Sequence, residues 1–110
     1  MKRKIVCVIS AATGDLVIVG EDELQHAARH FVLPRSILVE LLTVILKDPS
    51  EVFLDTSKPS KLYKIYYKLE DNRYLLVIVK ILKEGAFFAS MYSTGKKVKA
   101  RHSKMKRIKI

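Results

Sequence analysis

The 110 residues hold a single cysteine and no apolar run approaching the ~18 residues that a membrane span needs. One thiol makes no intrachain disulfide and no zinc cluster, so the chain fits a reducing compartment and the cytoplasm is its expected location. Cys7 lies in the apolar stretch IVCVI and reads as a small core residue. A glycine-rich phosphate loop, paired catalytic carboxylates and a cysteine nucleophile are all missing, which removes the common signatures of nucleotide binding and hydrolysis. No internal repeat occurs. The most local shortage is of acid: Lys96 to Ile110 (KKVKARHSKMKRIKI) carries eight Lys or Arg and no Asp or Glu.

That run decides the charge of the molecule. The net formal charge is +10, from 21 basic and 11 acidic side chains; without the run, 13 face 11. A positive field gathered at one end attracts a polyanion, and counterion release from phosphates is the usual source of the affinity. The plainer reading is a solvated tail. At this length the chain is one domain, and with nearly half its residues hydrophobic it is not disordered. The expected organisation is one α+β domain over 1–95 (hairpin 1–20, helices 21–47, sheet 51–95) and a basic tail over 96–110.

The start, KRK followed by IVCVISAA, has the outline of an export signal. Its apolar stretch is short, however, and Ser10 interrupts it. A second β-branched run, Leu16 to Val19, follows Thr13-Gly14-Asp15, so Lys4–Ser10 and Leu16–Val19 read as a β-hairpin. Glu21-Asp22-Glu23 then loads acid onto a first helical turn. Leu24, Ala27, Ala28 and Phe31 carry the helical spacing to about Val32, before Pro34 ends it. Ser36 to Lys47 (SILVELLTVILK) is a second helix, apolar enough to be buried on most sides.

From Glu51 the pattern changes to strands: Glu51–Asp55, Lys61–Leu69, Arg73–Leu82 and Ala86–Thr94, joined by short turns that force antiparallel neighbours. The expected fold is therefore α+β, two N-terminal helices packed on a four-stranded antiparallel meander sheet, preceded by a short hairpin.

Polar groups stand on these strands where a structural sheet does not need them. KLYKIYYKL alternates Tyr63, Ile65, Tyr67 and Leu69 against Leu62, Lys64, Tyr66 and Lys68. Lys80 interrupts an apolar strand and must snorkel, pair or act. The last strand sets Ser90, Tyr92 and Thr94 against Phe87, Ala89 and Met91. A three-residue Lys83-Glu84-Gly85 loop pairs Leu82 with Ala86 and Lys80 with Phe88, which puts Lys80 on the face of Ser90 and Tyr92. A two-residue Glu84-Gly85 loop puts them on opposite faces. On the first helix, His26 and His30 stand at i and i+4 around Arg29. No acidic or Cys ligand accompanies them, so neither a metal nor a cofactor is expected. Solvent-facing or carbonyl-capping histidines are the bland reading and a general acid/base histidine the sharp one.

A helical RH, a Pro-started segment ending DPSEVF, a YYK strand, an LLVIVK strand and an ASMYSTG strand occur in that order. The chain thereby resembles the barnase–EndoU–colicin–RelE group of metal-independent ribonucleases, in particular its phage-associated and mobile-element branches, over roughly His26 to Gly95. The resemblance implies a toxin-like endoribonuclease whose constellation falls on His30, Lys68, Lys80, Tyr92 and Thr94, with Ser90 and His26 beside it. It implies RNA, tRNA included, as substrate and an antitoxin or immunity protein as partner, with no membrane. The extra hairpin at the start departs from the group's pattern, and no antitoxin segment is visible in the chain.

The chemistry would be attack of a ribose 2′-hydroxyl on its own phosphate, leaving a 2′,3′-cyclic phosphate and a 5′-hydroxyl. That needs an acid, a base and cations for the phosphorane. Arg29, Lys64, Lys96, Lys97, Lys99, Arg101, Lys104, Lys106 and Arg107 are the candidates for holding the RNA backbone. Two readings of other kinds stand beside this one: a non-catalytic nucleic-acid-binding module on the same basic surface, and a partner-binding structural protein whose lysines solvate an open sheet.

Overall fold

The computed structural model describes residues 4–57, 59–102 and 105–110. Strands β1 (Ile5–Ser10) and β2 (Leu16–Gly20) pair antiparallel. Their turn is closed by Thr13 Oγ1 donating to Asp15 Oδ2 at 2.8 Å, with Gly14 at a φ of 91° that suits only glycine. Helix α1 (Glu21–Phe31) follows at once, its three leading acids at the positive end of the helix dipole and Glu21 paired with Arg35.

Helix α1 ends at Val32, whose N–H donates to the Ala28 carbonyl from a left-handed backbone with φ of 54°. A β-branched residue there is strained by about 1–2 kcal/mol. The Val32 side chain is 86% exposed, so it recovers nothing by packing. Replacing Val32 with Gly is expected to raise stability by ~1 kcal/mol, read as a rise of about 5 °C in the melting temperature.

Helix α2 (Arg35–Lys47) buries Leu38, Leu42, Ile45 and Leu46 completely. Their spacing makes one stripe along the helix. Ile37 and Val44 remain about half exposed, so α2 rests on the sheet by that stripe and is not enclosed on most sides.

Strands β3 (Glu51–Asp55), β4 (Lys61–Glu70), β5 (Arg73–Leu82) and β6 (Gly85–Gly95) run antiparallel in succession. They do not stand alone, and here the expected fold class is corrected. The hairpin docks through β2, which pairs parallel to β6 at Val17–Ala86 and Ile18–Phe87. Residues expected to form a tail build helix α3 (Lys96–His102) and strand β7 (Lys106–Ile108), which pairs antiparallel with β3. Among the described residues the result is one mixed seven-stranded sheet, β1-β2-β6-β5-β4-β3-β7, with three helices. Two physical needs explain the additions. A lone hairpin is barely stable in water, and both edges of a four-stranded sheet carry unpaired backbone groups that another strand can satisfy.

The sheet divides the interior in two. One face packs Val17, Val19, Ile65, Val77, Val79, Phe88 and Met91 against Leu24, Ala27 and Ala28 of α1 and Leu38 and Leu42 of α2. The other carries a smaller cluster of Phe53, Tyr66, Tyr74, Leu76 and Ile78, with Met105 set against it. Among the described residues no helix is long and apolar enough to cross a membrane.

Candidate nucleic-acid interface

The strand candidates all face away from α1 and α2. On β5 the helix-facing residues are odd-numbered, Val77 and Val79, so Lys80 points to the second face. Cross-strand partners share a face, and the pairings give four rows there. The first is Lys68–Tyr74–Thr94, the second Tyr66–Leu76–Tyr92, the third Lys64–Ile78–Ser90 and the fourth Leu62–Lys80–Phe87.

The turn between β5 and β6 reaches this arrangement by a route the sequence did not suggest. Leu82 pairs with Gly85 around a two-residue Lys83-Glu84 loop, with Gly85 at φ of 144°. Lys80 therefore pairs with Phe87, not Phe88. A bulge between Ile78 and Val79 leaves Ala89 as the extra residue, so Ile78 meets Ser90. Phe87 and Ala89 thus join the face of Ser90 and Tyr92, while Phe88 and Met91 turn to the helices.

The rows also separate the candidates. Lys80 stands six residues along β5 from Tyr74, the partner of Lys68, which is about 20 Å at ~3.3 Å per residue. It stands four residues from Leu76, the partner of Tyr92, or about 13 Å. Lys68 and Thr94, by contrast, flank Tyr74 across two strand spacings, about 10 Å between backbones. His26, Arg29 and His30 are exposed on α1, in the layer packed on the opposite face. The structure brings Lys68, Tyr92 and Thr94 into adjoining rows, leaves Lys80 at the far end and places the helix histidines across the sheet from all of them. Among the described residues no group of three His, Cys, Asp or Glu is placed to hold a metal.

What covers this face is the C-terminal segment. Helix α3 leaves the end of β6 and packs beside it, and the chain then reaches the far edge as β7, so the segment straps the sheet. Lys99 anchors it: Nζ pairs with the Glu51 carboxylate and sits 5.4 Å from the centre of the Tyr74 ring. Met105 packs on the second cluster and Ile108 on the first.

Beneath the strap, Tyr66 is fully buried, edge-on to both Phe53 and Tyr74. Burial first, then the neighbouring Tyr92 and Glu51, push its hydroxyl up to about 12 from an ordinary 10. The folded state thus holds its proton more tightly than the unfolded chain. That stability is fully present below pH 10 and is lost as pH rises through about 12. The expected loss is ~2 kcal/mol across that interval. Urea melts on either side of it will show the loss, and Tyr66→Phe will remove most of it; the smaller remainder belongs to Tyr63, which burial also raises.

With Lys99 committed to Glu51, the strap still exposes Lys96, Lys97, Arg101, Lys106, Arg107 and Lys109. Arg107 pairs with Phe53 and so lies on the strapped face, while Lys106 turns to the other side of the edge. Lys68 and Arg73 extend the band at the end of the sheet, the former 3.5 Å from Asp71. Lys64 is half-buried in the third row, and Lys104 lies outside the described residues. Five of the eleven acids, Glu21, Asp22, Glu23, Glu40 and Asp48, sit in the helical layer, while Glu51 lies under the strap and Glu70 and Asp71 stand at the end of β4 beside Lys68. The strap, with no acid of its own, is the most basic part of the chain.

Glu51, Tyr66 and Tyr74 were not among the residues singled out from the sequence. The available signal was the set of apolar residues Val98, Met105 and Ile108 inside the basic run, which a solvated tail does not need. No family model, curated protein or solved structure matches the chain.

Proposed function

We propose that the protein binds single-stranded nucleic acid, RNA foremost, along the band formed by α3, β7 and the end of β4–β6. The observation that carries this reading is the folding of the basic segment. Six exposed cations are held on the folded segment that runs through α3 and β7, Lys106 on the reverse side of the edge, and five acids lie in the helical layer across the sheet. Fixed cations neutralise consecutive phosphates without the ordering entropy a mobile tail loses on binding. Tyr92, 39% exposed beside Thr94, offers a ring on which an unpaired base can stack. The lone cysteine suits a reducing compartment, and we place the protein in the cytoplasm.

One further observation favours a second reading, metal-independent cleavage of the bound RNA. Lys68, Thr94 and Tyr92 occupy adjoining rows next to Lys96 and Lys97. A phosphate resting there would meet an ammonium and two hydroxyls, the donors that a phosphorane calls for. An antitoxin partner belongs to this second reading only.

The test is a salt titration of tRNA binding in EDTA, with the ends of any product analysed. Six contacts to single-stranded RNA give a log–log slope of about −4. A slope near zero would sink the binding reading. A 2′,3′-cyclic phosphate product would add the second to it.

A further inference from the structure

The basic strap closes one edge of the sheet, and the opposite edge is of another kind. Among the described residues β1 is the outermost strand on that side, and one row of its backbone N–H and C=O groups has no partner strand there. Its sequence, IVCVIS, contains no proline and no charge. Natural proteins blunt such edges with lysine, proline or a covering loop, because a bare apolar edge pairs with another strand. Here the pairing has a register shift between Ile5 and Cys7.

The side chains point the same way. Of ten large hydrophobic residues left exposed, four fall in this one hairpin: Ile5, Val6, Val8 and Leu16. Val8 is 51% and Leu16 65% exposed, and both lie on the strapped face, since Val8 pairs with Ile18 and Ile18 with Phe87. The patch therefore runs unbroken from the free edge to β6. Isolated exposed apolar residues need no explanation, but a contiguous set along a free strand marks an association surface.

Charge selects the occupant. From Lys4, exposed just before β1, to Gly20 the groups charged at neutral pH are Lys4 and Asp15, which offset each other in a chain of net +10. The basic edge, β7, is six strand spacings away, about 29 Å. That is some three Debye lengths at physiological salt. With no net charge from Lys4 to Gly20, this hairpin is where two copies of a strongly cationic chain meet with the least mutual repulsion. An acidic partner, by contrast, is drawn to the strap.

We propose that the protein forms a two-fold dimer by antiparallel pairing of β1 with β1 of a second copy, making one continuous fourteen-stranded sheet. The two-fold axis stands perpendicular to the sheet, so both strapped faces are on the same side. Val6, Val8 and Leu16 of one copy then adjoin those of the other. The contact buries on the order of 1,000 Å², at the low end for stable interfaces, and the dimer is concentration-dependent. Both basic bands face the same way from the two far edges, which lets one long polyanion engage them together.

Sedimentation equilibrium of the full chain, without nucleic acid, tests this beside Val8→Lys and Leu69→Lys. Leu69 is an exposed apolar residue outside the hairpin. Val8→Lys is expected to weaken dimerisation by ~100-fold, because the axis doubles the substitution and sets two ammonium groups together. Leu69→Lys should leave it unchanged. Hydrogen exchange should slow at amides of Ile5–Ser10 as concentration rises. A chain that stays monomeric at every soluble concentration overturns the proposal and leaves the edge to a strand of a different protein. A dimer indifferent to Val8→Lys, or equally sensitive to Leu69→Lys, overturns it as well. The measurement needs no RNA, so its failure is separate from any failure of the binding reading.

Discussion

Replacing Lys96, Lys97, Arg101, Lys106, Arg107 and Lys109 together with Gln is expected to weaken RNA binding by at least ~1000-fold at physiological salt. Each of these side chains is exposed, so the substitutions remove charge without opening the core. The nearly flat salt dependence left behind is the more telling readout, because it counts phosphates released and not merely affinity lost. Half-sets should divide the loss. Removing the three on α3 or the other three, Lys106 and Arg107 of β7 with Lys109 just after it, should each lower the slope by about 2 and the affinity by roughly 30-fold. Replacing His26, Arg29 and His30 on the helical layer should change binding less than ~3-fold, since these side chains lie across the sheet from the strap. Fluorescence anisotropy with a short labelled RNA resolves all of these. Equal losses from the helical layer and the strap would show that net charge, and not the folded band, does the binding.

That contrast also shows how far the sequence could be read. The hairpin of β1 and β2, helices α1 and α2 and strands β3 to β6 follow from periodicity and punctuation, because apolar spacing at period 2 or 3.6 is a local property. The parallel β2–β6 joint is not local. It depends on two edges separated by some seventy residues, and nothing in LVIVG or GAFFAS states which edge each will find. The basic run misleads for a different reason. Eight charges in fifteen residues suggest solvation, yet Met105 and Ile108 pack on the two clusters and let the segment fold once a sheet is there to receive it. Tertiary context decides that, as it does for most short elements.

The candidate site divides along the same line. Alternation placed Lys68, Tyr92 and Thr94 correctly on their strands, since side-chain direction has a strict period of two. The shared face of Lys80 and Tyr92 also holds, but through a shorter loop compensated by a bulge at Ala89, which no turn rule supplies. Whether His30 faces the same groups is a question of which side of the sheet the helices cover, and alternation is symmetric in that respect. The structure answers it, with α1 on the face of Val77 and Val79.

The sharpest consequence concerns cleavage. If RNA incubated with the protein in EDTA yields a cyclic phosphate, the rate is expected to be unchanged in His30→Ala and to fall by ~100-fold or more in Lys68→Met. Lys68 stands in the row of Thr94 and next to that of Tyr92, with Lys96 and Lys97 beginning the strap alongside. An ammonium there can hold a nonbridging oxygen as negative charge grows on the phosphorane. The 2′-oxygen forms its bond to phosphorus as the 5′-oxygen leaves, and a water molecule can carry the proton between them. His30 is excluded from that step by the thickness of the sheet, since it belongs to a helix packed on the opposite side. Lys80→Met should also be tolerated, because ~13 Å along the strand separates it from the row of Tyr92. The assay reads initial rates on tRNA for the three variants at equal binding saturation. A cleavage that dies with His30 and survives loss of Lys68 would mean that the working site lies on the helical face, and that the strap serves only to hold the RNA.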